Sequence, residues 1–378
     1  MDSDSLDSIA AAPLGKDIGQ ADIEAFDRLT SVDLSPEEIR LAENPDQSAP
    51  DEKRLLALHF HPEWVPLGLI ETRLSRAFPG ASDRMVVPTQ HNRVMAMGPW
   101  AGVEVDCQAP EFGQKIQLLI HMRSQAMAKA GRLLEMIDQT FRFRALQLLE
   151  ILEALTSPDE SMAREINDNG LDREALDLAS FFACRLNELI RTRDVIGSPR
   201  SEMLKNRLLT DFMLARNQGL DPTLFANSLS VANIVKSMVK HRLDLGHFST
   251  AREVIEEARG LGAGIVIPHP PQFWPALMDD LDVDGWEVWN PSTPRHTQFL
   301  IGCLERAQGR SRRPLLAFMG DDTHMSSKIR PNITEDKNGK GREIGFQPPW
   351  RDPLVVEALA RTGQSRERTM DEYRDRLA

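Results

Sequence analysis

Nearly every apolar, strand-like run of this sequence finishes in a potential metal ligand, a histidine or a carboxylate. Arg54–His61 finishes in His59-Phe60-His61, and Arg84–Pro88 leads through Thr89-Gln90 to His91. Gly102–Val105 carries Glu104, Ile116–Ile120 runs into His121, and Gly264–Pro268 runs into His269. Gly285–Trp289 ends at Asn290, and Pro314–Met319 runs into Gly320-Asp321-Asp322-Thr323-His324. Residues i and i+2 of a strand share a face, so His59 with His61, and Asp322 with His324, can each converge on one ion. Imidazole and carboxylate ligands without thiolates suit Zn, Mn or Fe. Singly, each residue has a plainer role. An HxH arises by chance, a histidine before a proline is often only hydrogen-bonded, and a buried glutamate can pair with an arginine. Their shared position is what points to metal.

The elements that must position these residues follow a βαβ rhythm with an interruption. Strand-like runs occupy residues 54–122 and return at 264, and from about 122 to 260 apolar residues recur at helical spacing. Ser35-Pro36-Glu37-Glu38 and Thr250-Ala251-Arg252-Glu253 are helix starts, and His296–Gln308 reads as the helix between the last two strands. The expected organisation is an acidic N-terminal extension (1–52), an α/β barrel (53–122 and 261–350), an all-helical insertion (123–260) and a C-terminal helical tail (351–378). In parallel α/β barrels the active site forms where the strands' carboxyl ends converge, which is where the candidate ligands lie.

Bulk properties narrow the function. The chain has 378 residues and a formal charge of -12, which argues against a broad surface for long nucleic acid or anionic lipid, while a short oligonucleotide reaching a local basic pocket fits. Cys107, Cys184 and Cys303 are far apart and form no CxxC pair, which argues against a disulfide scaffold and for a reducing cytoplasm. The acidic start lacks the basic region and apolar stretch of a secretory signal, and no apolar run approaches membrane-spanning length.

In their order along the chain these motifs resemble the PHP (polymerase and histidinol phosphatase) family of metal-dependent phosphoesterases. The resemblance rests on His59/His61, Thr89-Gln90-His91-Asn92, Gly-Val-Glu-Val at 102–105, His-Pro at 269–270, Gly-Trp-Glu-Val-Trp-Asn at 285–290 and Gly-Asp-Asp-Thr-His at 320–324. It implies a distorted (β/α)7 TIM-like barrel with one to three divalent ions at its mouth. His59 and His61 would hold one ion together with Glu104 and Asp322. Glu104 would bridge to a second held by His269, and His91 and His324 would belong to a third. The sequence departs from the family at three places. Gln90 stands where an aspartate is usual. The strand of Gln117-Leu118-Leu119-Ile120 lacks the usual histidine, with His121 four places on. After His61 only Glu63 stands as a further ligand.

The chemistry implied is hydrolysis of a phosphoester by a metal-activated water. His91 or His324 would shuttle a proton to the leaving group. Lys328 and Arg330, with Arg295, are the candidate cations for phosphate oxygens. The basic run Lys337–Arg342 reads as a lid or a plain loop, and Trp64, Trp274, Trp286 and Trp289 as an apolar wall, a base-stacking surface or core. The substrate would be a small phosphorylated molecule or short oligonucleotide, and the helical insertion a surface for a protein partner or a second copy. Two other readings compete. One is a catalytically degenerate barrel serving as a binding or regulatory module. The other is an amidohydrolase-type C–N hydrolase, which would need a metal-bridging lysine at a strand end.

Overall fold

The structure is a computed structural model that describes residues 18–193, 195–196, 198–242, 248–308, 313–330 and 341–377, apart from the side chains of residues 144 and 241. Helices α1 (Gln20–Thr30) and α2 (Pro36–Glu43) precede β1 (Arg54–Ala57), β2 (Phe60–His61), α3 (Leu67–Ala77) and β3 (Asp83–Val86). Strands β4 (Met95–Met97), β5 (Trp100–Ala109) and β6 (Gln114–Arg123) follow, then helices α4 (Gly131–Thr156), α5 (Glu160–Asp168), α6 (Arg173–Thr192), α7 (Leu208–Ala215), α8 (Pro222–Arg242) and α9 (Ala251–Gly260). The chain ends with β7 (Gly264–Ile267), β8 (Gly285–Trp289), α10 (Thr297–Ala307), β9 (Leu316–Met319), β10 (Thr323–His324), α11 (Met325–Ile329), α12 (Pro353–Arg361) and α13 (Arg366–Arg376).

Two units divide the chain. One holds the described residues within Met1–Asp33 and Arg142–Asp244, the other those within Leu34–Phe141 and Leu245–Ala378. The division cuts through the N-terminal segment that the sequence presented as one acidic extension. In the helical unit α1 buries Phe26 and Leu29, and its acids face arginines of the insertion. Asp22 accepts from Arg185 and from Arg216 Nε at 2.8 Å, and Arg200 reaches Asp27 at 2.8 Å. Helix α2 belongs to the other unit. Its Ser35 hydroxyl accepts from Glu38 N, while the Glu38 carboxylate accepts from Ser35 N, the capping box the sequence announced. The helical insertion is also narrower than 123–260. Leu133, Met136 and Ile137 of α4 and Val254, Ile255 and Ala258 of α9 pack in the core beside the β5–β6 hairpin.

The second unit is mixed α/β, and its strands do not close into the parallel barrel expected from sequence. They form three hydrogen-bonded sheets: β1 beside β3, β2 beside β10, and β4-β5-β6-β7-β8-β9. Only β7, β8 and β9 repeat the parallel arrangement within the large sheet. β5 and β6 make a ten-residue antiparallel hairpin, and β6 meets β7 antiparallel. The cause is local. A single 3-10 turn, Pro110–Phe112, closed by Gly113 at φ +61, separates the two strands, whereas a parallel crossover takes about a dozen residues or more.

The hairpin has two different faces. Val103, Val105 and Cys107 with Ile116, Leu118 and Ile120 join α4, α9 and α10 in the main apolar cluster. The opposite face carries Gly102, Glu104 and Asp106 on β5, paired with His121, Leu119 and Gln117 on β6. Leu119 lies in a second cluster with Leu56, Leu58, Val266 and Phe318, into which the C-terminal helix α13 sends Met370 and Tyr373. The end of Glu104's face nearest His121 is therefore packed solid by the chain's last helix. Gly264 is needed there, because a Cβ would fall on the Tyr373 ring. No described helix is long and apolar enough to cross a membrane.

Candidate metal centre

The site is assembled where the chain changes partner. After β1 leaves β3, residues 60–61 pair in parallel with 323–324, placing Phe60 beside Thr323 and His61 beside His324. Asp322 N donates to His59 O at 2.8 Å. The two i, i+2 pairs, His59/His61 and Asp322/His324, thus run side by side in register. His91 bridges to Glu104 from the neighbouring segment, with Asn92 N donating to Glu104 O at 2.7 Å. Among the described residues only four non-glycines have positive φ: Glu63 (54°), Asn92 (50°), His269 (29°) and Asp322 (48°). Each costs on the order of 1–3 kcal/mol, and such strain persists where surrounding structure enforces it for function. Two of the four are candidate ligands, and the other two stand one and two residues from candidate ligands.

Three groups of side chains have ligand atoms mutually within 4.8 Å: His59, His61 and Asp322; His59, Glu104 and His269; and His61, His91 and His324. Asp322 Oδ1 lies 3.5 Å from His59 Nε2, 3.4 Å from His61 Nε2 and 3.6 Å from His324 Nε2. Glu104 Oε1 is 3.4 Å from His269 Nε2 and 3.9 Å from His59 Nε2, and its other oxygen is 3.6 Å from His61 Nε2 and 2.5 Å from His91 Nδ1. Most of these spacings are long for hydrogen bonds. They match instead the roughly 3.4 Å edge of a tetrahedron whose corners sit about 2.1 Å from a central ion. The buried His59 Nε2, His61 Nε2 and Glu104 Oε1 make no hydrogen bond. An unsatisfied buried polar atom costs about 1–3 kcal/mol, so these orphaned atoms fit a divalent cation that would satisfy them together. Imidazole and carboxylate donors without sulfur are the set for Zn, Mn or Fe.

A second layer aims these ligands. Glu287 Oε1 accepts from His59 Nδ1 at 2.6 Å, which fixes the tautomer and leaves Nε2 towards Glu104 and Asp322. Its other oxygen accepts from His269 N at 2.8 Å and Asn290 Nδ2 at 2.9 Å. Glycine is required at 320, because a Cβ would fall on the Glu287 carboxylate. Glu63 Oε2 accepts from Ser326 N at 2.8 Å, and its other oxygen stands 3.6 Å from His324 Nδ1. Gln90 accepts from Glu63 N at 2.9 Å and so holds that glutamate in place.

Charge follows this arrangement. Burial works against a charged His59, yet Glu287, Asp322 and Glu104 outweigh it and push its pKa up to about 10. Burial, together with the His91 and His324 rings, each 4.2 Å from its own and 5.7 Å from one another, holds His61 well below the usual histidine range. Burial also opposes ionisation of Glu104 and Asp322, but the surrounding imidazoles hold both carboxyls well below the usual carboxylate range. His324 rises to about 9 against burial, through Asp322 and Glu63. Burial lifts Asp321, which points away to Gly345 N and Thr323 N, to about 7.

His59, His61, His91, Glu104, His269, Asp322 and His324 are thus brought together, and four other sequence candidates are not. His121 lies outside the three groups, with both ring nitrogens taken. Nδ1 contacts the Tyr373 hydroxyl at 2.7 Å, Nε2 contacts Leu58 O at 2.9 Å, and burial lowers its pKa to about 3. Lys328 pairs with Asp46 at 2.6 Å. Arg330 pairs with Glu38 at 2.5 Å and stacks over Trp64. Arg295 is exposed beside His296, from whose Nε2 its Nε is 3.1 Å away. Gln117 hydrogen-bonds Asp106 at 3.0 Å. Sequence reading missed three residues at this site: Glu287, Glu63 in its orienting role, and Arg342, whose Nη1 donates to Asp322 O at 2.9 Å and Oδ2 at 3.1 Å. Within the basic run Lys337–Arg342, residues 337–340 lie outside the described residues.

No protein-family model matches the chain, and no curated protein matches it. Among solved structures the chain is similar to a protein from Bifidobacterium adolescentis provisionally named a metal-dependent phosphoesterase. The two are 15% identical, with a TM-score of 0.39, over 74% of this chain and 86% of that one. The chemistry rests on the residues above.

Proposed function

We propose that this protein is a metal-dependent hydrolase of phosphoesters, of the kind its motif order resembles. The observation that carries the reading is the side-by-side register of His59/His61 with Asp322/His324 around Glu104, with buried ligand atoms that no protein group satisfies. His59, His61 and Asp322 would hold one ion, Glu104 and His269 a second, and His91 and His324 would belong to a third. Bound there, divalent ions would supply Lewis acidity and neutralise charge on phosphoryl oxygens. Burial of His59, His61 and His269 excludes water from the floor of the site, whereas His91 and His324 are partly exposed at its mouth. Where not ligated to an ion, either of those two imidazoles would meet a leaving-group oxygen. His324, backed by Glu63, carries the proton at neutral pH in the metal-free chain.

A specific observation also favours a metal-poor relic that binds rather than hydrolyses. Gln117 is bonded to Asp106 and His121 to Tyr373, so neither adds a ligand beside Glu104 and His269. An amidohydrolase reading fits less well, since the group between the ligand sets is the carboxylate of Glu104 and not a lysine. Elemental analysis of chelator-free protein separates these readings. Two or more equivalents of Zn, Mn or Fe, lost in His59→Ala and Asp322→Ala, with turnover in a phosphoester screen, supports the hydrolase. No metal after reconstitution, with both variants as stable as the parent, rules it out.

A further inference from the structure

Arg342 is a cation held rigidly against a metal-ligand carboxylate. The neighbouring Glu343 forms a two-pronged pair with Arg73, Nε to Oε1 and Nη2 to Oε2 at 2.6 Å each, with both side chains buried. Arg73 in turn donates to Leu41 O and Asn44 O. Ile344 is buried, Gly345 N donates to Asp321 Oδ2 at 3.0 Å, and the Gln347 amide donates to Leu56 O at 3.1 Å. This pinned backbone delivers a guanidinium only 9% exposed, which uses Nη1 on Asp322 while its buried Nε has no hydrogen-bond partner. Asp322 is thereby split, with Oδ1 towards three histidines and Oδ2 towards the arginine.

Asp322 shares its two oxygens between that positive charge and the cation site, so a further anion there is drawn by both, and a guanidinium fork matches the oxygens of a phosphate. Lys328, Arg330 and Arg295, the cations read from sequence, meet Asp46, Glu38 and His296 instead. We propose that Arg342 grips the non-bridging oxygens of a substrate phosphoryl group at this centre, an assignment that rests on the phosphoesterase reading above.

The test uses metal-loaded protein of measured stoichiometry, with inorganic phosphate as the probe, titrated calorimetrically into the parent, Arg342→Met and Arg342→Lys. Loss of a charge-assisted fork predicts phosphate binding about 10- to 100-fold weaker in Arg342→Met, with metal content unchanged and Arg342→Lys between the two. Phosphate affinity equal to the parent's in metal-replete Arg342→Met overturns the assignment. So does loss of metal from both variants, which would make Arg342 only a positioning partner of Asp322. A parent that holds metal but neither binds phosphate nor hydrolyses any phosphoester would remove the phosphoesterase reading itself. A parent that turns over, with KM and kcat unchanged in Arg342→Met, removes the arginine's role alone.

Discussion

Replacing Glu287 with glutamine tests how the centre is aimed while leaving every candidate ligand in place. The carboxylate accepts three hydrogen bonds, from His59 Nδ1, His269 N and Asn290 Nδ2. A glutamine offers one acceptor oxygen and one amide that only donates. With its oxygen towards His269 and Asn290, the amide faces His59 Nδ1, which must then accept. The ring proton moves to Nε2, the nitrogen turned towards Glu104 and Asp322, and blocks ligation there. With its oxygen towards His59, the amide meets two other donors in a buried site, at about 1–3 kcal/mol. Either way the ligand set is penalised by an amount comparable to that of removing an outer-shell partner, 10- to 100-fold in metal affinity, or about 1.4–2.7 kcal/mol. Competition with a chromogenic chelator for Zn or Mn measures this directly. An apparent Kd within twofold of the parent's, in a variant that melts normally, refutes the claim that Glu287 sets the His59 tautomer.

Three further outcomes are expected. Gly320→Ala forces the Glu287 carboxylate aside and should weaken metal in the same chelator assay at least as much as Glu287→Gln. Arg73→Met strands the buried Glu343 carboxylate and should cost about 3–5 kcal/mol in denaturant unfolding, whereas an exposed pair would cost under about 1. His121 has a folded pKa of about 3, below the roughly 6.5 of an unfolded histidine, so the unfolded chain takes up the proton first as pH falls. Its contribution is therefore complete above about pH 6.5 and lost progressively towards pH 3. That amounts to about 2 kcal/mol at pH 5 relative to pH 7 in the metal-free chain, and urea titrations of His121→Gln should lack that increment.

The clustering of the candidate ligands was legible because they combine two signals that survive in one dimension: a polar residue type, and its place at the end of an apolar run. Helix starts were legible for the same reason, Ser35 and Thr250 each standing three residues before a glutamate. The strand directions were misread around Pro110–Gly113, although the spacing carried the answer, since so short a turn admits only a hairpin. His121 looked like its neighbours because a histidine ending an apolar run and one inside a longer strand read alike. Only the distant Tyr373 distinguishes them. Arg342 was hidden for a different reason. Its importance comes from Glu343 bonding to Arg73, a pairing some 270 residues apart that no local pattern announces.

The register between β2 and β10 joins strands about 260 residues apart, with residues 142–244 of the helical unit encoded between them. During synthesis His59, His61, His91 and Glu104 are all made before any residue of the second strand. At typical rates of about 5–20 residues per second, His61 waits roughly 13–50 s for His324. For that interval the nascent chain displays half a chelate, able to catch an ion but not to select it by geometry. An ion held at the finished site would thus be chosen when the last strands dock, and metal identity would follow the pool present at late folding rather than at first exposure of the ligands.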